Sequence, residues 1–288
     1  MCGIFGILNN KEDSNKLNNA LGLMSHRGPD NSDSYIDNNI FLGHNRLSIL
    51  DLNNRSNQPF FIGEYVIVYN GEIYNYLELA KEFNLNVSTS SDTEVVLMMY
   101  IKLGVKCLDH LNGMFTFIIY NTNTKDTFIA RDRLGIKPLF FKQNSNQAIF
   151  SSEISSILNL FPDKISSFGL RQYYKLRMTI KGYTIYENIK EFLPGHYWLN
   201  GKIHRYWDLD TNLKNHPSDE QLDYLIRDSV KIRLRSDVKV GTYLSGGLDS
   251  TILSYIAKPN NTWSVGFKEM NEFKWAEVAN QNLNSIFH

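Results

Sequence analysis

A cysteine in second position, backed by an apolar run, fixes where the chain terminus must sit in any fold. The opening residues are Met1-Cys2-Gly3-Ile4-Phe5-Gly6-Ile7. The stretch 4–8 reads as a buried strand that would hold the terminus rigidly. Removal of Met1 would leave Cys2 with a free α-amino group. That amine titrates at about 7.7–8.0 and a free thiol at about 8.5. Near neutrality one residue would then carry both a nucleophile and its general base. Gly3 leaves room beside the thiol for a substrate. With Met1 attached the nitrogen is an amide, and Cys2 should be inert. Taken alone, these seven residues favour a plainer reading, an ordinary first strand with a core cysteine, because short motifs match by chance.

The rest of the chain bounds what such a terminus could serve. It has 288 residues and 42% hydrophobic content, enough for two domains of roughly 100–200 residues each. Lys plus Arg and Asp plus Glu number 30 each, so no global basic field points to nucleic acid. No apolar run approaches the roughly 20 residues of a membrane span, and no signal peptide is visible. Cytoplasm is the expected location, without nucleic-acid or membrane partners. The two cysteines, Cys2 and Cys107, are far apart, which argues against a disulfide framework; Cys107 lies in an apolar stretch and is expected in the core. The histidines show no metal-ligand spacing.

Residues 1–208 read mainly as strands, at 64–69, 114–120, 127–130, 139–142, 196–199 and 202–206, the last two turning at Asn200-Gly201. Helices are expected over 15–24 and from Ser91 to Leu103, where Ser91-Asp92-Thr93-Glu94 has capping-box spacing. Asn70-Gly71, after the strand at 64–69, is by itself a hairpin-turn signal. After Trp207 the texture changes. A polar linker over 208–217 leads into a helix capped by Ser218 with Gln221, then a strand over 238–244, a helix over 249–258, a strand over 262–267 and a helix from Phe273. This alternation indicates a parallel sheet over 209–288. Within it VGTYLSGGLDS, at 240–250, runs from strand through glycines into a helix. Such a turn gathers free N–H groups at a helix N-terminus, an anion site. It lacks the Gly-Lys-Ser/Thr ending of a Walker loop, and it resembles the pyrophosphate-binding loop of ATP pyrophosphatases.

Seven motifs in order then carry a family resemblance: MCGIFGI, HRGPD at 26–30, HNRLSILD at 44–51, YNGEIYN at 69–75, SDTE at 91–94, ARDRLGIKPLF at 130–140 and LSGGLDS at 244–250. Together they resemble glutamine-hydrolysing asparagine synthetase over nearly the whole chain. The resemblance implies an α+β N-terminal-nucleophile αββα sandwich over 1–208, followed by the start of an α/β parallel-sheet ATP-pyrophosphatase domain. It implies Cys2 as the nucleophile forming a γ-glutamyl thioester, with Asn70 and Gly71 as the oxyanion hole. Arg46 would clamp the glutamine α-carboxylate, Glu72 and Asp92 would receive the α-ammonium, and Leu47, Ser48, Ile49 and Leu50 would line the pocket. Asp92 equally suits the first turn of its helix. HRGPD would be a loop near the pocket, and Arg131-Asp132-Arg133 an ionic network behind it.

In the second half the resemblance places Ser245, Gly246, Gly247, Asp249 and Ser250 around ATP phosphates neutralised by Mg²⁺, and Leu244 and Val265 beside the adenine. Ammonia would attack an aspartyl-adenylate. No cofactor is implied for the glutaminase half, and the substrates are glutamine, aspartate and ATP. The later synthetase motifs are absent, so this chain is expected to be competent in glutamine hydrolysis alone. It would be a fragment, a split enzyme completed by a second chain, or a remnant; a homodimer is also open. An amidotransferase with another acceptor, or a non-catalytic module, remain the alternatives.

Overall fold

In the computed structural model, which describes residues 1–211, 216–269 and 271–288, the run behind Cys2 is a central strand. The chain separates into two units, Met1–Leu209 and Asp210–His288. Of the expected linker, residues 212–215 lie outside the described residues. The first unit contains, in order, β1 (Gly3–Leu8), α1 (Ser14–Gly22), β2 (Asn31–Ile36), β3 (Ile40–Arg46), β4 (Phe60–Ile62), β5 (Tyr65–Ile73), α2 (Tyr76–Glu82), α3 (Asp92–Leu103), α4 (Cys107–His110), β6 (Gly113–Asn121), β7 (Thr127–Arg131), β8 (Phe140–Gln143), β9 (Ala148–Ser151), α5 (Ile154–Leu160), α6 (Ser167–Leu176), β10 (Ile189–Glu191), β11 (His196–Leu199) and β12 (Lys202–Arg205).

These strands form two six-stranded sheets, ordered β10-β8-β9-β1-β3-β2 and β12-β11-β7-β6-β5-β4. The period of two sorts their side chains into layers. From β1, Ile4 enters the core between the sheets, where Val66, Val68, Ile118, Ile129 and Phe150 meet it. Phe5 and Ile7 point the other way, into a core with Leu17, Leu21 and Ile157 of α1 and α5. On the second sheet Ile67, Phe115, Phe117 and Phe128 face Val96, Leu97 and Met99 of α3. The architecture is therefore the expected αββα sandwich. Because both faces of each sheet are covered, its central strands carry apolar runs rather than a strict polar–apolar alternation.

Three local readings are corrected. Asn70-Gly71 makes no turn: β5 continues to Ile73, with Asn70 opposite Thr116 and Gly71 opposite Phe115. A tight hairpin turn needs positive φ at both central residues, and neither residue has it, whereas Asn200 (φ 45°) and Gly201 (φ 93°) both do and join β11 to β12. At α3, Ser91 caps Thr93 N–H at 3.2 Å, but Glu94 does not reach back. Its carboxylate instead accepts from Ser88 N–H at 2.9 Å and Thr89 N–H at 2.7 Å. The strands of the second unit are also shorter than the apolar runs that suggested them, as Val238, Val240, Val265 and Phe267 are exposed.

That unit contains α7 (Asp219–Arg233), β13 (Thr242–Tyr243), α8 (Leu248–Ala257), β14 (Asn261–Trp263), α9 (Phe273–Asn280) and β15 (Ile286–Phe287). The strands pair in parallel, in the order β13-β14-β15. A full capping box opens α7, where Ser218 Oγ accepts from Gln221 N–H at 3.3 Å and Gln221 Oε1 accepts from Ser218 N–H at 3.0 Å. Replacing Ser218 with alanine should cost about 1 kcal/mol of helix stability, read as faster hydrogen exchange at the Gln221 amide. Among the described residues, no helix is long and apolar enough to cross a membrane.

Candidate active site

One cavity in the first unit, of about 260 Å³, gathers most of the residues singled out by the motifs. Cys2 reaches it from the chain start, Arg46 from the end of β3, Leu47, Ile49 and Leu50 from the following loop, Asn70, Gly71 and Glu72 from β5, and Asp92 from the first turn of α3. The register of β1 on β3, with Gly3 opposite Asn45, brings Cys2 level with Arg46 and Leu47. Leu47 N–H donates to the Cys2 Sγ at 3.4 Å, and Sγ faces Leu47 O at 3.7 Å. Burial pushes the thiol above its ordinary value, opposed by the Leu47 N–H. Met1 also lines the cavity, and burial lowers its amine.

The HRGPD segment buttresses this terminus. Arg27 Nε donates to Cys2 O at 3.0 Å, and its Nη1 reaches Glu153 at 3.2 Å; His26 lies 2.9 Å from the same carboxylate oxygen. Asp30 accepts from Ser48 N–H at 2.7 Å. Ser48 is the member of the expected 47–50 wall that does not line the cavity.

Asn70 is buried, yet neither Nδ2 nor Oδ1 has a hydrogen-bond partner among the described residues. A buried unsatisfied group costs about 1–3 kcal/mol, so this amide is an uncompensated donor in the cavity wall. Beside it β5 and β6 come so close that a Cβ on Gly71 would lie 2.4 Å from Met114 O. Glycine is required there by contact, not by backbone sign.

Two carboxylates form the acidic end. Asp92 accepts from Tyr69 OH at 2.7 Å and Ile73 N–H at 2.8 Å. Burial raises its pKa, and these bonds oppose the rise. Glu72 has a buried Oε1 with no hydrogen-bond partner among the described residues. Burial first and the Asp92 charge second push its pKa up to about 7. An incoming cation would relieve both groups.

Arg46 is otherwise engaged than the resemblance implies. Its Nη1 donates to Asn53 O at 3.0 Å and Asn57 Oδ1 at 2.7 Å, and its Nη2 donates to Leu50 O at 3.2 Å and to Asp51 O. The fork that would clamp a carboxylate holds the 50–57 loop, leaving Nε–H. The expected ionic network at Arg131-Asp132-Arg133 holds only at Arg131, which pairs with Glu191 at 2.8 Å. Asp132 instead accepts backbone N–H groups of Leu134, Ile136 and Lys137 at 3.1, 2.9 and 3.0 Å, and Arg133 donates to Leu111 O at 2.6 Å. That loop brings Lys137 into the cavity wall. Sequence reasoning overlooked Lys137 and Glu153; Lys137 stood inside a quoted motif, but nothing local marks it as buried.

In the second unit a separate cavity of about 270 Å³ is lined by Leu244, Ser245, Ser250 and Val265, together with Tyr243, Trp263, Ser264 and Glu272. Gly246, Gly247 and Asp249 adjoin it in sequence without lining it. Ser245 Oγ and Ser250 Oγ lie 2.9 Å apart, and Gly247 N–H donates to Ser245 Oγ at 3.3 Å. Gly246 has φ 79°, and a Cβ there would meet Trp275 C at 2.4 Å. Gly247 caps α8 with no side-chain hydrogen bond, so the helix N-terminus faces this turn with open N–H groups. The arrangement fits a phosphate group.

Comparison with known proteins agrees with this geometry. Residues 1–215 match the glutamine amidotransferase domain family and residues 221–288 match asparagine synthase. A putative asparagine synthetase [glutamine-hydrolyzing] 2 of Methanocaldococcus jannaschii is 36% identical over 319 residues, covering 93% of this chain and 60% of the relative. Asparagine synthetase [glutamine-hydrolyzing] 3 of Bacillus subtilis is 34% identical over 313 residues, covering 98% of this chain and 51% of the relative. The chain thus spans only half to three-fifths of the length of these relatives. Among solved structures, glutamine phosphoribosylpyrophosphate amidotransferase from B. subtilis, complexed with ADP and GMP, superposes with a TM-score of 0.53 at 17% identity over 89% of this chain and 64% of that one. The likeness in fold and the family match over three-quarters of the chain converge: the chain belongs to the glutamine amidotransferase domain family, with its remaining segment matching asparagine synthase.

Proposed function

We propose that Cys2, once Met1 is removed, hydrolyses the side-chain amide of glutamine. The observation that carries this reading is the unpartnered Asn70 amide in the wall of the cavity that Cys2 also lines. The Cys2 α-amine takes the thiol proton, and the sulfur attacks the amide carbon. The resulting oxyanion accepts from Asn70 Nδ2–H and Gly71 N–H. As the carbon–nitrogen bond breaks, the α-ammonium returns its proton to the leaving nitrogen and ammonia departs. Water then attacks the γ-glutamyl thioester, yielding glutamate and the free thiol. Glu72 and Asp92 hold the substrate ammonium, and Arg46, through its remaining Nε–H and the loop it braces, serves the carboxylate end.

The domains we assign are 1–208 for glutamine hydrolysis and 209–288 for part of an ATP site. Ser245, Gly246, Gly247, Asp249 and Ser250 would surround the ATP phosphates, and Leu244 and Val265 would flank the adenine. ATP would supply activation of an aspartate carboxylate, and Mg²⁺ would offset phosphate charge. The relatives' names support asparagine as the final product.

The direct experiment incubates Met1-free protein with glutamine and measures glutamate and ammonia, expected in equal amounts; absence of both would overturn the reading. Glutamine binding should also depend on pH. Glu72 must be ionised to receive the ammonium, and its pKa, raised to about 7 by burial and by Asp92, means that KM rises as pH falls below 7, by up to about tenfold per unit. Its folded-state pKa lies above the ordinary 4.5, so Glu72 favours folding at low pH and loses that contribution as pH rises through 7. Thermal melts of Glu72→Gln should therefore lose part of the wild-type fall in Tm between these two pH values.

A further inference from the structure

Lys137 is 5% exposed and has no hydrogen-bond or ion-pair partner for its ammonium among the described residues. An unpaired buried charge is costly, and the neighbouring basic groups avoid that cost. Arg27 pairs with Glu153, Arg131 pairs with Glu191, and Arg46 donates to the 50–57 loop. The lysine is nevertheless held in place. Asp132 accepts its backbone N–H at 3.0 Å, and its carbonyl accepts from Arg131 Nε at 2.8 Å. Its side chain lines the cavity with Cys2 and Glu72. Burial, the largest influence, lowers the pKa of this amine; Cys2, Glu72 and Asp132 oppose that fall, and Arg27 adds to it. The thiol in turn feels the N-terminal amine and Lys137 in one direction and Asp92 in the other. Asp30 and Arg27 act on that amine, and Tyr69 faces Asp92 and Glu72.

We propose that Lys137 is the electrostatic partner of the Cys2 sulfur, a positioning residue whose ammonium favours the thiolate against the nearby carboxylates. This deepens the glutamine-hydrolysis reading and rests on it. In the step concerned, the sulfur–hydrogen bond breaks, the proton passes to the Cys2 α-amine, and the sulfur keeps the electron pair beside the lysine cation. Two carboxylates gathered for the substrate ammonium would otherwise oppose that negative charge. Lys137 lets one small cavity hold an acidic end for binding and an anionic sulfur for attack.

The test is the pH dependence of Cys2 alkylation by iodoacetamide in Met1-free full-length protein, followed by peptide mass spectrometry. Lys137→Met is expected to raise the alkylation midpoint by about one pH unit or more, and Lys137→Arg to restore it towards wild type. Lys137→Met should also lower kcat about tenfold with KM within about twofold, as expected of a group acting on the nucleophile. A Lys137→Met protein that melts cooperatively with an unmoved midpoint overturns the proposal. If that variant does not fold, Lys137→Gln is compared with Lys137→Arg, and equal midpoints in the two overturn it as well. Alkylation needs no glutamine, so failure of wild type to hydrolyse glutamine would remove the functional reading while the thiol–lysine coupling is still measured.

Discussion

Glutamine hydrolysis by Met1-free protein is expected to fall on the order of 10³-fold or more when Cys2 becomes alanine. In the proposed mechanism the thiol forms the covalent intermediate, and no second thiol can stand in for it. Cys107 opens α4 and is buried in the core with residues of α3, where burial pushes its pKa up to about 12. The fold should survive the change, because among the described residues the Cys2 sulfur's hydrogen bonds are with the Leu47 backbone alone. Glutamate production and a thermal melt, measured together, separate lost chemistry from lost structure. A Cys2→Ala protein with undiminished turnover would remove Cys2 from the mechanism.

Asn70→Ala should lower kcat about 10²–10³-fold, equivalent to about 2.7–4 kcal/mol, the usual effect of removing one oxyanion donor. KM should change little, since the oxyanion exists only along the reaction path. Stability should respond in the opposite sense to a structural asparagine. Both side-chain polar atoms are buried and unpartnered, so their removal relieves a desolvation cost and the variant should melt no earlier than wild type. Steady-state kinetics alongside urea unfolding tests both halves. An increase in KM with kcat intact would instead place Asn70 in ground-state binding.

The two Asn-Gly pairs show how far sequence could carry the fold. Both have the composition of a hairpin turn, yet only Asn200-Gly201 turns, because its flanking strands β11 and β12 are partners. The partner of this part of β5 is β6, beyond the three intervening helices α2, α3 and α4, and that pairing keeps Asn70-Gly71 extended. Local chemistry is identical in the two places, and tertiary pairing decides between them. The same reason hides β2, Asn31–Ile36, which opens on four polar residues and sits at a sheet edge. Strand β1 was legible because both its faces are covered, which leaves an uninterrupted apolar run. Glu94 had capping-box spacing but found better donors in Ser88 and Thr89.

The site was more legible than the fold around it. Cys2, Arg46 and Asp92 lie on separate stretches from Asn70 and Glu72, which share β5, and the motifs named all five before any geometry joined them in one cavity. What the motifs lacked was direction. They could not show that the Arg46 fork is occupied by loop carbonyls, or that Ser48 turns its backbone towards Asp30. Nor could they show that Lys137, between Ile136 and Pro138, becomes a buried basic side chain. Each of these depends on where the chain folds back, information that residue type and spacing do not contain.

The central claim is that one covalent event, loss of Met1, converts an inert thiol into the nucleophile of glutamine hydrolysis. It is tested by comparing glutamate release from protein whose mass shows Met1 removed with that from protein carrying an uncleaved extension ahead of Cys2. Glutamate release from the first and essentially none from the second is the predicted result. Equal release from the two would contradict it, since a Cys2 whose nitrogen is an amide has no base to accept its proton.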